Sequence, residues 1–336
     1  MPLSPDVTEL VSPATAGDVL VDLGVVQPGT TVEARALSGG ISNVVLAVEW
    51  VGGRAVLKQS LPKLRVASEW TFDRGRIRNE RRCMELLGEL LAANTVPSVL
   101  AHDDEQFLFV MSHAPDGATV WKDDLLAGHV DLATAGRAGE LLGVIHGSTA
   151  GNAAVAAAFA DQTPLIQGRV DPYHRTAAAA NPEVAGIVLA EVERLLATRE
   201  TLVLGDWSPK NLLVYPDRVL ALDFEVAHLG DPAFDVAFLL THLVLKGVRR
   251  PDDRPELRRA AAAFLDGYGA RAGVAAAEDP PVVAELGCLL LARVDGKSRA
   301  EYLTDERERD HVRQFAYNLL LGDERRLDST LDHLLT

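Results

Sequence analysis

Leu204-Gly205-Asp206-Trp207-Ser208-Pro209-Lys210-Asn211-Leu212-Leu213-Val214, followed by Leu220-Ala221-Leu222-Asp223-Phe224-Glu225, decides how this chain is read. Asp206 and Asn211 flank a short loop closed by Pro209, and Asp223 follows at the end of an apolar run. Phosphoryl transfer needs a carboxylate to orient an attacking hydroxyl and accept its proton, and hard oxygen ligands for Mg²⁺. Asp206 suits the first role; Asn211 and Asp223 suit the second. A solvated loop with Asp223 capping a turn is the plainer alternative. It sits less well with Leu222 and Phe224 on either side, because a carboxylate in apolar surroundings needs a charged partner, which a metal supplies.

Upstream, residues 32–60 carry strand patterns. Val32–Leu37 and Val44–Trp50 read as a β-hairpin, and Ala55-Val56-Leu57-Lys58 as a third strand after a Gly52-Gly53 turn. The hairpin tip is Ser38-Gly39-Gly40-Ile41-Ser42-Asn43. Glycines there let backbone N–H groups approach phosphate oxygens, and Ser42 or Asn43 can add donors. Lys58 can reach nucleotide phosphates if a carboxylate holds it. Glu80, on a helix expected over 76–93, is the best placed, with Glu69 and Glu85 as alternatives. Gln106–Met111 reads as another strand. A helical segment is expected within residues 1–25, ending near Leu23-Gly24.

Downstream the pattern is mostly helical: 131–147, 184–198, 232–246, 255–272, 280–296 and 306–335, with an alanine-rich, proline-punctuated stretch at 153–180. Two short strands are expected at 211–215 and 219–224. The expected fold class is α+β, with a small β-rich lobe over residues 1–112 and a larger helical lobe over 113–336.

Composition agrees with a globular chain: 336 residues, 48% hydrophobic and 24% charged. A net charge of -15 makes nucleic acid and anionic membrane poor partners for the general surface, and is compatible with a cationic substrate. The two cysteines, Cys83 and Cys288, lie in apolar helical stretches and read as buried hydrophobes. The N-terminus lacks a basic start followed by a long apolar run, so a reducing cytoplasm is the expected location.

GDWSPKN, LDFE and the later GDPAFD together resemble the superfamily of aminoglycoside phosphotransferases, choline kinases and methylthioribose kinases, which shares the two-lobed protein-kinase-like fold. The resemblance runs from about residue 35 to 300, in the order glycine turn, Lys58, Glu80, Asp206, Asn211, Asp223. It implies ATP and Mg²⁺ as cofactors, with Asp206 as catalytic base and Asn211 and Asp223 as metal ligands. Glu225 would join them, since Asp-x-Glu resembles the choline and methylthioribose kinases. Lys58 and Glu80 would form the ion pair over the phosphates, beside the turn of Ser38, Gly39, Gly40, Ser42 and Asn43. Met111, Ser112 and Ala114 would form the adenine-binding hinge. Asp231 and Asp235 would brace the loop. Many relatives carry His where this chain has Leu204 and Ser208, a departure that counts against the antibiotic-modifying subgroup. Lys210, next to Asn211, could neutralise the transferring phosphoryl group.

For the acceptor, Asp171, Tyr173 and Arg175 mix charge and aromatic groups before an alanine-rich stretch, and Arg293 stands unexpectedly on an apolar helix. Arginines in this late region lie near the acceptor in methylthioribose kinase. His146 reads as a structural histidine. The expected function is ATP-dependent transfer of the γ-phosphate to a hydroxyl of a sugar, amino alcohol or aminoglycoside-like small molecule, by a monomer or homodimer. The alternative is a nucleotide-binding module without phosphotransfer.

Overall fold

The computed structural model describes residues 10–37, 42–62, 64, 70 and 72–336. They fall into two compact units, one ending at Asp116 and one running from Gly117 to Thr336.

The first unit opens with helix α1 (Ala16–Asp22). It then builds a five-stranded antiparallel sheet from β1 (Val32–Ala36), β2 (Asn43–Trp50), β3 (Gly53–Ser60), β4 (Val99–Asp103) and β5 (Leu108–Ser112). The spatial order is β1-β2-β3-β5-β4. Helix α2 (Arg76–Leu90) lies between β3 and β4 in sequence. Alternation along the strands separates two faces. Leu46, Val48, Ala55, Leu57, Leu108 and Val110 form one core with Ala16 and Leu20 of α1. Burying each Leu there contributes about 1.5–3 kcal/mol. Lys58 follows Leu57 and so points to the other face. β3 is the central strand, paired to β2 through Val45↔Lys58 and to β5 through Lys58↔Phe109. Helix α2 buries Ile77, Glu80, Met84 and Leu87, a single stripe at helical spacing.

Strand β4 alternates in burial, but its residues Val-Leu-Ala-His-Asp do not alternate apolar with polar, and it carries a register shift near Val99–Ala101, which together hide it from a period-two reading of the sequence. β5 starts at Leu108, two residues later than expected, because Phe107 adopts a left-handed conformation (φ 54°).

The second unit begins with β6 (Thr119–Val120), α3 (Trp121–Leu126) and α4 (Leu132–Thr149). The Asp131 carboxylate caps α4 by accepting from the N–H groups of Ala133 and Thr134. The alanine-rich stretch is four pieces: α5 (Ala153–Ala158), the single turn α6 (Thr163–Leu165), a π-helix (Ile166–Arg175) and α7 (Thr176–Ala180). In an α-helix the ring of Pro172 would meet the carbonyl of Gly168; the wider π-turn relieves this. Next come α8 (Ala185–Ala197), β7 (Thr201–Val203), β8 (Leu212–Val214), β9 (Val219–Ala221) and β10 (His228–Gly230). β8 pairs with β6 and β9; β7 pairs with β10.

Helices α9 (Ala233–Arg249), α10 (Arg254–Ala272), α11 (Asp279–Asp295), α12 (Glu306–Leu321) and α13 (Leu327–Leu335) complete the unit. The single helix expected over 306–335 is two. Gly322 ends α12, and the Glu324 carboxylate accepts from the N–H groups of Arg325 and Arg326 in the connection. Helix α4 crosses α10 at backbone contact. A Cβ at Gly139 would stand 2.0 Å from the Phe264 carbonyl oxygen, and one at Gly143 2.5 Å from that of Tyr268. Among the described residues, no helix is long and apolar enough to cross a membrane.

Candidate active site

The loop that carries Asp206 is built from backbone upward. Gly205 is left-handed (φ 74°), and a Cβ there would sit 2.6 Å from Val226 Cγ1, so both conformation and space call for glycine. Asp235, in the first turn of α9 and fully buried, accepts hydrogen bonds from the N–H groups of Leu204 (2.7 Å) and Gly205 (2.8 Å). His146 Nε2 lies 3.3 Å from Asp235 Oδ2, and its Nδ1 lies 3.1 Å from the Tyr268 hydroxyl. His146 is thus a structural group holding the brace. Asp231 caps α9 through the N–H of Ala233 (2.7 Å) and pairs with Arg194.

Pro209–Asn211 forms a 3₁₀ turn. The Asn211 side-chain amide donates to the carbonyl of Asp206 (3.1 Å), and the Asn211 carbonyl accepts from the N–H of Leu222 (2.9 Å). Asp206, Asn211 and the strand end before Asp223 are therefore tied to one another. Asp223 itself is left-handed (φ 67°), uncommon for a residue with a Cβ and a place where strain is held by its surroundings. The strand expected to run through 224 stops at Ala221 for this reason.

The Asp206 carboxylate is buried, with 8% exposure. Its Oδ2 lies 3.1 Å from Arg169 and 2.8 Å from Lys210, and the Ser208 hydroxyl donates to Oδ1 (3.2 Å). Burial alone would raise its pKa; the charges of Lys210 and then Arg169 overcome this and hold it well below the usual carboxylate range. Arg169 also donates to the carbonyls of Gly205 (2.6 Å) and Gly168 (2.6 Å), and its guanidinium lies over the rings of Tyr173 (5.2 Å) and Phe238 (5.3 Å). Sequence reasoning passed over Arg169. Its only signal in the sequence was an arginine three residues before Pro172; its burial and its aim toward the loop come with the π-helix.

The carboxylates of Asp223 and Glu225 bring oxygens within 4.8 Å of each other. Two carboxylates this close are hard oxygen donors that fit a divalent cation, and Asn211 is tied by its backbone carbonyl to Leu222, next to Asp223. Arg169 and Lys210 both feel the Asp223 charge.

In the first unit, Lys58 and Glu80 form a buried ion pair at 2.7 Å. Glu85 pairs instead with Arg81 (2.9 Å), and Glu69 lies outside the described residues, as do Ser38, Gly39 and Gly40. The Asn43 amide donates to Ser42 Oγ (2.9 Å). The Ser42 carbonyl accepts from buried Arg76, which also holds the carbonyls of Phe72 and Asp73. Arg76 is a second group that the sequence pattern did not mark. Met111, Ser112 and Ala114 are partly exposed at the end of β5. The N–H of Ser112 donates to the carbonyl of Ser98 (2.8 Å), so it is already spent inside the unit.

Of the residues proposed for the acceptor, Tyr173 and Arg293 meet: Arg293 donates to the Tyr173 hydroxyl (3.3 Å) and to Ser298. Asp171 and Arg175 pair with each other at 2.5 Å, about half exposed, while Tyr173 is buried.

The sequence profile of the phosphotransferase enzyme family matches residues 33–286. The chain belongs to that family. This phosphotransferase-family chain is 27% identical over 249 residues to a methylthioribose kinase of Yersinia enterocolitica, a match covering 66% of this chain and 62% of that one. It thus spans less than two thirds of the length of the curated relatives it matches. Among solved structures it resembles an amicoumacin kinase (14% identity, TM-score 0.60, 97% and 98% of the two chains). It also resembles a choline/ethanolamine kinase family protein from Mesorhizobium loti (18% identity, TM-score 0.52, 95% and 99%). At these identities the likeness establishes the fold: α+β and protein-kinase-like, a sheet-based unit followed by a larger helical one.

Proposed function

We propose that the protein is an ATP- and Mg²⁺-dependent kinase that transfers the γ-phosphate to a hydroxyl of a small molecule. The carrying observation is the Asp206 carboxylate, buried, charged and fixed on a loop braced by Asp235, with Asn211, Asp223 and Glu225 tied to the same loop or close beside it. Relatives named as kinases of methylthioribose and amicoumacin support the reading.

Asp206 orients the acceptor hydroxyl by accepting its hydrogen bond and takes its proton as the new bond forms. Its depressed pKa keeps it ionised and acceptor-ready across the neutral range. Lys210, half exposed and 2.8 Å from Asp206, stands where it can offer positive charge to a phosphoryl group arriving at that carboxylate. Arg169 adds a second positive charge at the same Asp206 oxygen and anchors Gly205. Asn211, Asp223 and Glu225 hold the metal, which when bound neutralises phosphate charge. Lys58, held by Glu80, meets the nucleotide phosphates, with Ser42 and Asn43 at the hairpin end; adenine meets the backbone around Ala114. The cytoplasm is the proposed location.

The test is ADP release from Mg-ATP across a panel of hydroxyl compounds. Asp206→Asn should lower kcat on the order of 10²-fold or more while nucleotide binding persists. Full-rate turnover by that variant would remove Asp206 from the proposed role.

A further inference from the structure

Beyond the Asp206 loop, the second unit buries two cations for which no carboxylate among the described residues lies within ion-pair distance. Lys246 on α9 is fully buried. Among the described residues no carboxylate lies within ion-pair distance of it; its ammonium has a 3.4 Å contact with the carbonyl of His242 and stands 5.3 Å over the ring of Tyr302. Arg293 on α11 is 7% exposed, likewise with no carboxylate in ion-pair range, and its Nε is buried without a hydrogen-bond acceptor. Among the described residues the buried hydroxyl of Tyr302 also has no hydrogen-bond partner. Arg169 and Lys210 differ, because each has Asp206.

These groups are continuous with the Asp206 site. The Arg169 guanidinium, bonded to Asp206, lies over Tyr173 and Phe238. Arg293 reaches the same Tyr173, and Phe238 packs against His242 at 5.3 Å. His242 stands one helical turn before Lys246. Every neighbouring element adds its charge. Lys122 and Asp123 come from α3, Arg293 from α11, and Glu301 from the segment after α11. Glu301 is paired with Lys122, and both are more exposed than Lys246. Burial, then Lys246 and Arg293, push His242 well below its ordinary range, so it is neutral. Burial, then Lys122 and Arg293, lower Lys246 to about 7.

An unpaired charge taken out of water is costly, and Lys246 and Arg293, which feel each other's charge and connect through His242, Phe238 and Tyr173 to the Arg169–Asp206 pair, are groups that an anion would stabilise. We propose that the phosphoryl acceptor carries, besides its hydroxyl, an anionic group, a carboxylate or phosphomonoester, that is received by Lys246 and Arg293 with Tyr302 as an added hydrogen-bond donor. The inference rests on the kinase reading and narrows it. The acceptor is a hydroxy acid or a phosphorylated polyol or sugar, and not the cationic compound that the net charge of -15 brings to mind.

The experiment uses matched acceptors on one scaffold: glycerol, glycerate, glycerol 3-phosphate and 3-amino-1,2-propanediol, and likewise glucose, glucuronate, glucose 6-phosphate and glucosamine. ADP release and thermal shift are measured for wild type, Lys246→Met and Tyr302→Phe. Expected is preference for an anionic member, with the two anion types told apart by which arm responds. Lys246→Met should raise its KM about 10- to 100-fold with a much smaller change in kcat. Tyr302→Phe, which removes one oxygen and keeps the ring, should do so to a smaller extent. Neutral or cationic members used as well as anionic ones would overturn the inference and leave the kinase reading standing. So would Lys246→Met lowering kcat equally for all members. If no member is turned over, thermal shift decides. Stabilisation of wild type but not Lys246→Met by the anionic members upholds the site, and equal shifts in both overturn it. Failure to bind Mg-ATP in the same samples would count against the kinase reading alone.

Discussion

Asp235→Asn should detach the Asp206 loop from α9. The wild-type carboxylate is fully buried and presents one oxygen to the N–H of Gly205 and the other to that of Leu204. An amide of the same shape has one oxygen and one NH₂. Whichever way it turns, one backbone N–H faces another donor. A hydrogen bond to a buried charged acceptor is worth about 1.5–3 kcal/mol, and a buried N–H left unmet costs about 1–3 kcal/mol. The sum, about 2.5–6 kcal/mol, is a large part of the roughly 5–15 kcal/mol that holds a folded protein together. Urea unfolding should show the midpoint falling with an unchanged slope, and hydrogen exchange should accelerate at the amides of Leu204 and Gly205 above all. Asp231→Asn is the contrast. Its side-chain oxygen can still accept from the N–H of Ala233, so the cap of α9 is kept and the loss is confined to the part-exposed pair with Arg194. Equal amide protection at 204 and 205 in wild type and Asp235→Asn would refute the brace.

Arg169→Met should lower kcat and stability together, since breaking one side of a buried ion pair costs about 3–5 kcal/mol and frees the Gly205 carbonyl; kcat and urea midpoint measured on one sample check this. Gly143→Ala should destabilise by about 1–3 kcal/mol, because its Cβ would stand 2.5 Å from the Tyr268 carbonyl oxygen. Gly186→Ala, in α8 with no heavy atom within 4 Å of the new Cβ, should be neutral or stabilising by about 0.5–1 kcal/mol, and the pair of melting curves tests both.

The parts of this molecule legible in sequence are those whose chemistry is local. Asp206, Asn211 and Asp223 lie close in the chain, and the turn and short strands between them bring them together. Lys58 and Glu80 were readable because a central strand and an amphipathic helix each leave one side chain facing the other. Strands of three residues, such as Thr201–Val203, are too short to show a period. The left-handed Asp223 could not be read, since aspartate rarely adopts that conformation without tertiary support. Arg169, Lys246 and Tyr302 depend on which way distant helices turn: the π-helix aims Arg169, and the packing of α9 against α11 buries Lys246. Charge was legible only as a sum. A net of -15 describes the surface, whereas the uncompensated cations lie inside.

That buried lysine makes a prediction about stability that is separate from catalysis. The unfolded chain holds the Lys246 proton to a pKa of about 10.4, while the folded protein releases it near 7. Between these values the unfolded state binds more protons, so stability rises with pH, by up to about 1.4 kcal/mol per unit from this one group. Below pH 7 both states are protonated and the full penalty is present. Lys246→Met removes the charge and keeps a side chain of similar length. It should therefore be more stable than wild type at pH 7, by a margin that shrinks steadily toward pH 9 in parallel urea titrations. An anion seated on Lys246 acts in the opposite sense: it favours the ammonium, raises the folded-state pKa, and should flatten the wild-type slope at saturating glycerate or glycerol 3-phosphate. Wild-type and Lys246→Met stability curves running parallel from pH 7 to 9 would mean that the ammonium is already compensated in the folded protein, and the argument for an anionic acceptor would lose its physical basis.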